Sequence, residues 1–94
     1  MNIAIVDDRK EDREKLGDIL LKYAGAGSEK LNIEHFESAE DLLDNYQPFL
    51  YTILFLDIYM EGISGMQAAE IIRKMDLDVI LVFLTTSDEH HAAA

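Results

Sequence analysis

The sequence predicts an α/β fold built on a parallel β-sheet, and two observations carry this prediction. Short apolar segments of four to six residues alternate along the chain with segments in which apolar side chains recur at a helical spacing. Three of the apolar segments read as strands buried on both faces, which is typical of parallel sheets with helical crossover connections. We therefore expect a β-α-β-α-β-α-β order with helices on both sides of the sheet.

The first strand is predicted over residues 3–6, directly before Asp7 and Asp8. A helix follows, because apolar residues recur at i, i+3, i+4 and i+7. The residues expected to share its apolar face are Leu16, Ile19, Leu20 and Tyr23. The glycines of residues 25–28 end this helix. The mixed charges of residues 9–15 are interpreted as a solvated helix face.

A second strand is predicted over residues 31–36, and its more polar composition favours an edge position in the sheet. Ser38 is the predicted N-cap of a short second helix, because an acidic residue, Asp41, follows three positions later. Pro48 separates this helix from a third strand over residues 51–56. That strand is nearly continuous in apolar residues and leads directly into Asp57.

The third helix follows a loop that contains Gly62 and Gly65. Ser64 and Gln67 have the spacing of a capping box at its start. The residues expected to share its buried face are Ala68, Ile71, Ile72 and Met75. A fourth strand is predicted over residues 79–84, immediately before Thr85, and residues 89–94 are compatible with the beginning of a fourth helix.

Composition restricts the classes of function. The 94 residues contain 19 acidic and 8 basic side chains, for a formal net charge of −11, which argues against nucleic-acid contact by this segment. The acidic balance fits a divalent cation, a basic partner or plain solubility. The absence of cysteine excludes disulfides, thiolate metal sites and cysteine nucleophiles. No apolar segment has the length of a membrane span or signal peptide, so we expect a single cytoplasmic domain, residues 1–94, without membrane contact.

Polar residues with side-chain oxygen atoms follow the predicted buried strands. Asp7 and Asp8 follow the first strand, Asp57 follows the third and Thr85 follows the fourth. In an open parallel sheet, ligands bind outside the carboxyl ends of the strands. If strands one and three are neighbours, as in the flavodoxin-like order, three carboxylates converge on one pocket. Each aspartate taken singly also fits a helix cap or a turn.

Three converging carboxylates repel one another unless a cation neutralises them, and Mg²⁺ prefers oxygen ligands of this kind. Asp57 stands alone after the central strand and is the candidate nucleophile, since aspartyl phosphates are known covalent intermediates. Thr85 offers a hydroxyl that can hydrogen-bond a phosphoryl oxygen.

Three segments together resemble the CheY-like receiver domain of bacterial two-component response regulators. They are Ile-Val-Asp-Asp at residues 5–8, Leu-Asp-Ile-Tyr-Met at residues 56–60 with Gly65, and Phe-Leu-Thr-Thr at residues 83–86. The resemblance implies a three-layer flavodoxin-like sheet with strand order 2-1-3-4-5. It also implies that Asp57 accepts a phosphoryl group from a phosphohistidine on a sensor histidine kinase.

The same resemblance implies a Mg²⁺ site and a switch. Asp8 and Asp57 would bind the ion through their carboxylates, Tyr59 through its backbone carbonyl and Asp7 through water. Thr85 would be the hydroxyl that moves toward the phosphoryl group. Such a domain promotes phosphoryl transfer only onto its own aspartate and is not an enzyme with an external substrate. Its change of conformation would control an output domain.

Two departures from the family pattern matter. Glu61 stands where the family usually has proline, and residues 56–66 are most similar to receivers joined to LytTR-type DNA-binding domains. A transcription-regulating output of that type is therefore expected. The family's fifth strand, with its lysine, and its last helix are not found. We expect a C-terminally shortened receiver whose fourth strand has an edge open to pairing with another chain, including a homodimer.

Two other classes compete with this interpretation. The first is a pseudo-receiver, an interaction or dimerisation module that is not phosphorylated and does not need Mg²⁺. The second is a phosphohydrolase with an aspartate nucleophile, which would have another acid two residues after Asp57. Tyr59 occupies that position and disfavours the enzyme.

Overall fold

The computed structural model describes residues 1–25 and 30–85. The elements in these ranges are β1 (Asn2–Val6), α1 (Lys10–Ala24), β2 (Asn32–Phe36), α2 (Ala39–Asn45), β3 (Ile53–Asp57), α3 (Gly65–Met75) and β4 (Ile80–Leu84). The predicted alternation of strands and helices is confirmed over this part of the chain. Residues 89–94, which are compatible with the beginning of a fourth helix, and the second threonine of the 83–86 segment lie outside the described residues.

The four strands form one parallel sheet in the order β2-β1-β3-β4, as predicted. β2 is an edge strand and three of its five side chains are exposed, in agreement with its polar composition. In the register of the sheet, Val6 of β1 pairs with Phe36 on one side and with Leu56 on the other. The carboxyl ends of these strands therefore meet at one edge of the sheet.

The core is divided by the sheet because successive side chains of a strand point to opposite faces. Ala4 and Val6 of β1 lie in a buried cluster on the face covered by α2 and α3. The other buried members of this cluster are Leu42, Tyr46, Tyr51, Leu54, Leu56, Ala69, Ile72 and Val79. Ile3 and Ile5 are equally buried but point to the opposite face, where α1 lies. Burial of each valine, leucine or isoleucine side chain in this core contributes about 1.5–3 kcal/mol.

Both predicted helix caps are present. The Ser38 hydroxyl accepts a hydrogen bond from the Asp41 N–H at 3.1 Å, at the start of α2. At the start of α3, the Ser64 hydroxyl accepts from the Gln67 N–H at 3.2 Å, and the Gln67 side chain accepts from the Ser64 N–H at 3.0 Å. A cap of this kind stabilises a helix by about 1 kcal/mol.

The predicted buried face of α1 is wrong in part. Tyr23 is 88% exposed and Ile19 is also exposed, whereas the buried residues of α1 are Arg13 and Gly17. The helix is rotated so that Gly17 approaches β2, where a Cβ on Gly17 would lie 3.6 Å from the His35 ring. An apolar-spacing rule cannot find this face, because neither arginine nor glycine counts as apolar.

The predicted face of α3 needs a smaller correction. Ala68 and Ile72 are buried as expected, but Ile71 and Met75 are exposed. Gly65 and Ala69 are buried in their place. The small side chains allow α3 to lie close to the sheet, and this close approach determines which side of the helix faces inward.

α1, with 15 residues, is the longest helix in the described ranges. No helix of residues 1–25 and 30–85 combines the length and the apolar character that crossing a membrane requires.

Candidate functional site

Three carboxylates converge at the carboxyl edge of the sheet. β1 and β3 are adjacent, which brings Asp7 and Asp8, after β1, next to Asp57, the last residue of β3. One carboxylate oxygen from each of the three lies within 4.8 Å of the others. Asp7 is 2% exposed and Asp57 is 1% exposed, whereas Asp8 is open to solvent. The convergence expected from the sequence is thus present. We call this cluster the acidic pocket; Asp7 and Asp57 are buried in it and Asp8 is exposed.

The pocket lies at the topological switch point of the sheet. The chain leaves β1 toward β2 on one side and then crosses back to β3 on the other side. Open parallel sheets bind their ligands at this point because the connections diverge there and leave a crevice.

Three hydrogen bonds hold Asp7, two through its backbone and one through its carboxylate. Its N–H donates to the Phe36 carbonyl at 3.1 Å, its Oδ1 accepts from the Arg9 N–H at 2.9 Å, and its carbonyl accepts from Arg13 Nη1 at 2.6 Å. Burial raises the pKa of the Asp7 carboxyl, the Arg9 N–H opposes this, and the charges of Asp12 and Asp8 raise the pKa further. Burial and the neighbouring acids therefore disfavour the charged form of Asp7.

Asp57 is fixed by its own loop and by α3. Its Oδ1 accepts from the Tyr59 N–H at 3.1 Å, and the next residue, Ile58, donates to the Leu84 carbonyl at 3.1 Å. A Cβ on Gly65 would collide with the backbone carbonyl of Asp57. Glycine at position 65 thus lets the first turn of α3 pack against the backbone of the candidate phosphoacceptor.

Thr85 lies at the same edge of the sheet. Leu84 pairs with Asp57, and Thr85 is the next residue of the chain and is exposed. Tyr59 is also on the exposed side of the loop after β3, with its N–H directed to Asp57. The structure therefore places both residues beside the acidic pocket, and their proposed roles stay predictions.

A carboxylate of α2 holds the loop between β3 and α3. Glu40 Oε2 accepts from the Ile63 N–H at 3.3 Å. Gly62, with φ of +76°, lies so close that a Cβ there would collide with the Glu40 carboxylate. The sequence analysis missed Glu40, whose partner is more than twenty residues away. This contact restrains the loop next to Glu61, where receivers usually carry proline.

Arg13 is the site residue that the sequence analysis interpreted wrongly. It was expected on a solvated helix face, but it is 6% exposed and its guanidinium reaches the Asp7 carbonyl. The available signal was its position on the stripe 13, 16, 17 and 20, which places Arg13 in line with Gly17 on one side of α1.

The fold and the site together define a class: a flavodoxin-like α/β domain with an acidic pocket at the switch point of its sheet. Comparison with known families identifies one family within this class. The family described as response regulator receiver domain matches residues 3–94, so this chain belongs to that family. The predicted family and the predicted CheY-like fold are both confirmed.

Two curated relatives are much longer than this chain. The sensory transduction protein LytT of Oceanobacillus iheyensis is 30% identical over 96 residues, which cover 100% of this chain and 37% of LytT. The positive alginate biosynthesis regulatory protein of Pseudomonas aeruginosa is 32% identical over 89 residues, covering 95% of this chain and 35% of the relative. The chain thus spans little more than a third of the length of these relatives.

Two similar solved structures contain the response regulator TrrA. TrrA of Thermotoga maritima in complex with Mg²⁺-BeF has 30% sequence identity and a TM-score of 0.75, over 97% of this chain and 74% of TrrA. TrrA in complex with the histidine kinase ThkA has 33% identity and a TM-score of 0.75, over 90% of this chain and 68% of that chain.

Proposed function

We propose that this receiver domain is a phosphorylation-controlled switch whose Asp57 accepts a phosphoryl group from a phosphohistidine of a sensor histidine kinase. The observation that carries the proposal is the convergence of Asp57 with Asp7 and Asp8 at the carboxyl edge of the sheet. The complex of the similar protein TrrA with a histidine kinase supports a kinase as the partner.

In the transfer, a carboxylate oxygen of Asp57 attacks phosphorus. A P–O bond to Asp57 forms, the P–N bond to the donor histidine breaks, and the departing imidazole takes up a proton. Burial of Asp57 and the hydrogen bond from the Tyr59 N–H hold the carboxylate in one orientation. Because the acceptor is part of the chain, the domain is not an enzyme that turns over an external substrate.

The donor set fits Mg²⁺, a hard cation that takes carboxylate, carbonyl and water oxygens. Asp8 and Asp57 would hold it directly, Tyr59 through its backbone carbonyl and Asp7 through water. The exposed position of Asp8 and the engagement of Asp7 Oδ1 with the Arg9 N–H support this division. When bound, Mg²⁺ neutralises the charge that the transferred phosphoryl group brings into the pocket. The complex of TrrA with Mg²⁺-BeF supports the same ion.

Phosphorylation would act on Thr85, whose hydroxyl is the proposed switch element at the end of β4. A charge added at Asp57 biases a local two-state element, and an output domain reads the result. We propose residues 1–94 as the receiver domain and a LytTR-type DNA-binding domain as a cytoplasmic transcriptional output, which the similarity to LytT supports. Because this segment has a net charge of −11, we expect the output domain, and not this segment, to contact nucleic acid.

Intact mass after incubation with acetyl phosphate, with and without Mg²⁺, tests the proposal. We expect a gain of one phosphoryl group that requires Mg²⁺ and is lost in Asp57→Asn. Asp44→Asn is the matched control, since it removes the same charge at an exposed site on α2. Modification that persists in Asp57→Asn, or no modification of the wild-type chain, would contradict the proposal.

A non-phosphorylated pseudo-receiver is the second candidate function. The observation that favours it is β4, which in the described part of the chain pairs only with β3 and exposes Ile80 and Phe83. An apolar strand edge of this kind is suited to pairing with another chain, including a second copy. This candidate predicts the absence of phosphorylation and of Mg²⁺ dependence in the same mass experiment.

A further inference from the structure

Arg13 carries a buried positive charge beside the acidic pocket. Its side chain is 6% exposed, and Nη1 donates to the Asp7 carbonyl at 2.6 Å. Its Nε is also buried and has no hydrogen-bond partner among the described residues. Burying a charge is costly unless opposite charges compensate it. The bond to the Asp7 carbonyl ties this charge to the segment that carries the Asp7 and Asp8 carboxylates.

The bond from Arg13 acts on the peptide unit that joins two of these carboxylates. The carbonyl of Asp7 belongs to the planar peptide between Asp7 and Asp8, so restraining its oxygen restrains the Cα atoms on both sides. The same segment is tied at its other end by the Asp7 N–H, which donates to the Phe36 carbonyl. These two bonds restrain the backbone from which the Asp7 and Asp8 side chains project.

We propose that Arg13 is a positioning residue for the divalent cation site, which it serves through the backbone of Asp7 and not by touching the cation. This inference rests on the proposed function, since it assumes that Asp7, Asp8 and Asp57 hold Mg²⁺. Residues that orient metal ligands from behind typically change metal affinity by about 10- to 100-fold when they are replaced.

The direction in which Mg²⁺ affinity changes when Arg13 is replaced distinguishes a positioning role from a purely electrostatic one. Removal of a positive charge near a cation site strengthens cation binding if only Coulomb forces act. Loss of the peptide restraint weakens binding, because Asp7 and Asp8 no longer hold the geometry that the ion needs. Neutralising Arg13 therefore has opposite expected outcomes under the two explanations.

The test is calorimetric titration of the full chain with Mg²⁺ alone, with unfolding by urea measured for every variant. We expect Arg13→Met to weaken Mg²⁺ binding by about tenfold or more. Lys15→Met removes the same charge from an exposed position of α1 and should leave the affinity unchanged or slightly stronger. Arg13→Lys keeps the charge and one donor, so its affinity should lie between those of Arg13→Met and the wild type.

Unchanged or tighter Mg²⁺ binding by folded Arg13→Met would overturn the inference. If Arg13→Met does not fold, the Mg²⁺ affinity of Arg13→Lys is the test. Wild-type affinity in Arg13→Lys would then overturn the inference. Asp57→Asn distinguishes this failure from failure of the proposed function. If the wild type binds Mg²⁺ and Asp57→Asn does not, the proposed metal site is supported whatever the Arg13 variants show. Wild-type protein that does not bind Mg²⁺ overturns both.

Discussion

Phe49 adopts a backbone conformation that its side chain does not favour. Residues 47–50 form a turn closed by the Leu50 N–H, which donates to the Gln47 carbonyl at 3.2 Å. Pro48 and Phe49 are the two central residues, and Phe49 has φ of +68°, as in a type II turn. Glycine or asparagine is the usual residue there, because a Cβ is crowded at positive φ. At 76% exposure, the Phe49 ring regains little of this cost through burial.

Phe49→Gly should therefore stabilise the protein by about 0.5–1 kcal/mol. The relief of backbone crowding, about 1–2 kcal/mol, exceeds the extra conformational entropy that glycine gives the unfolded chain. Urea unfolding measures the change. Phe49→Ala removes the same ring and keeps the Cβ, so it should not stabilise, and equal gains from both variants would show that the backbone is not the cause.

Asp76 joins three elements through one buried carboxylate. Its Oδ2 accepts from the Tyr46 hydroxyl at 2.5 Å and from the Phe49 N–H at 3.1 Å. Its Oδ1 accepts from the N–H groups of Asp78 and Val79 at 3.1 and 3.2 Å. The end of α3, the start of β4 and the connection from α2 to β3 are thereby tied together. This interaction was not expected from the sequence, because the Tyr46 donor lies thirty residues earlier in the chain.

Tyr46→Phe should lower the free energy of unfolding by about 1–3 kcal/mol, because the buried Asp76 carboxylate loses its hydroxyl donor. Tyr51→Phe is the matched control. The Tyr51 hydroxyl donates to Glu34 at 2.9 Å, but Glu34 is exposed and water can replace the lost donor. Urea unfolding compares the two, and an equal loss in both variants would contradict a special role for Asp76.

The network also predicts a pH dependence. The hydrogen bond from Tyr46 and then the bonds from three backbone N–H groups lower the pKa of Asp76 below 3.8, against the opposing effect of burial. Since the folded-state pKa lies below the unfolded-state value, the contribution of Asp76 to stability is present above that value. It is lost as the pH falls through the folded-state pKa.

Asp76→Asn should therefore destabilise the protein at pH 6, and the difference from the wild type should shrink below about pH 4. Urea unfolding of both proteins over a pH series measures this difference. Because the two proteins share all other carboxyl groups, the contributions of those groups cancel in the difference. A difference that stays constant down to low pH would show that Asp76 acts without its charge.

The whole molecule is strongly acidic, and its three converging carboxylates add local repulsion to a net charge of −11. If they hold Mg²⁺, the ion should stabilise the folded chain. At 100 times the dissociation constant, the gain is about 2.7 kcal/mol. We expect this gain in the wild type and not in Asp57→Asn. In metal-free buffer, Asp57→Asn should be the more stable protein, since it removes one of the repelling charges.

Thermal or urea unfolding with MgCl₂, compared with NaCl of equal ionic strength, checks this expectation. The comparison with NaCl matters because salt alone screens surface repulsion. An equal response to both salts, or an equal gain from Mg²⁺ in Asp57→Asn, would contradict a specific site.

Much of the fold followed from patterns that neighbouring residues produce on their own. Apolar segments identified the strands to within two residues, and the serines at positions 38 and 64 identified the starts of α2 and α3. The meeting of Asp7, Asp8 and Asp57 also followed, because parallel strands in a known order bring their carboxyl ends to one edge. These features depend on local backbone preferences and on one assumption about strand order.

The inward side of each helix and the environment of each charge depended on the assembled structure. Arg13 is buried because its guanidinium reaches a carbonyl at the end of β1, and Asp76 is buried because Tyr46, thirty residues earlier, donates to it. Sequence periodicity records only what lies within a turn or two of a residue. The cost of burying a charge is decided by partners that the fold brings from elsewhere in the chain, and these partners exist only after the sheet and helices have packed.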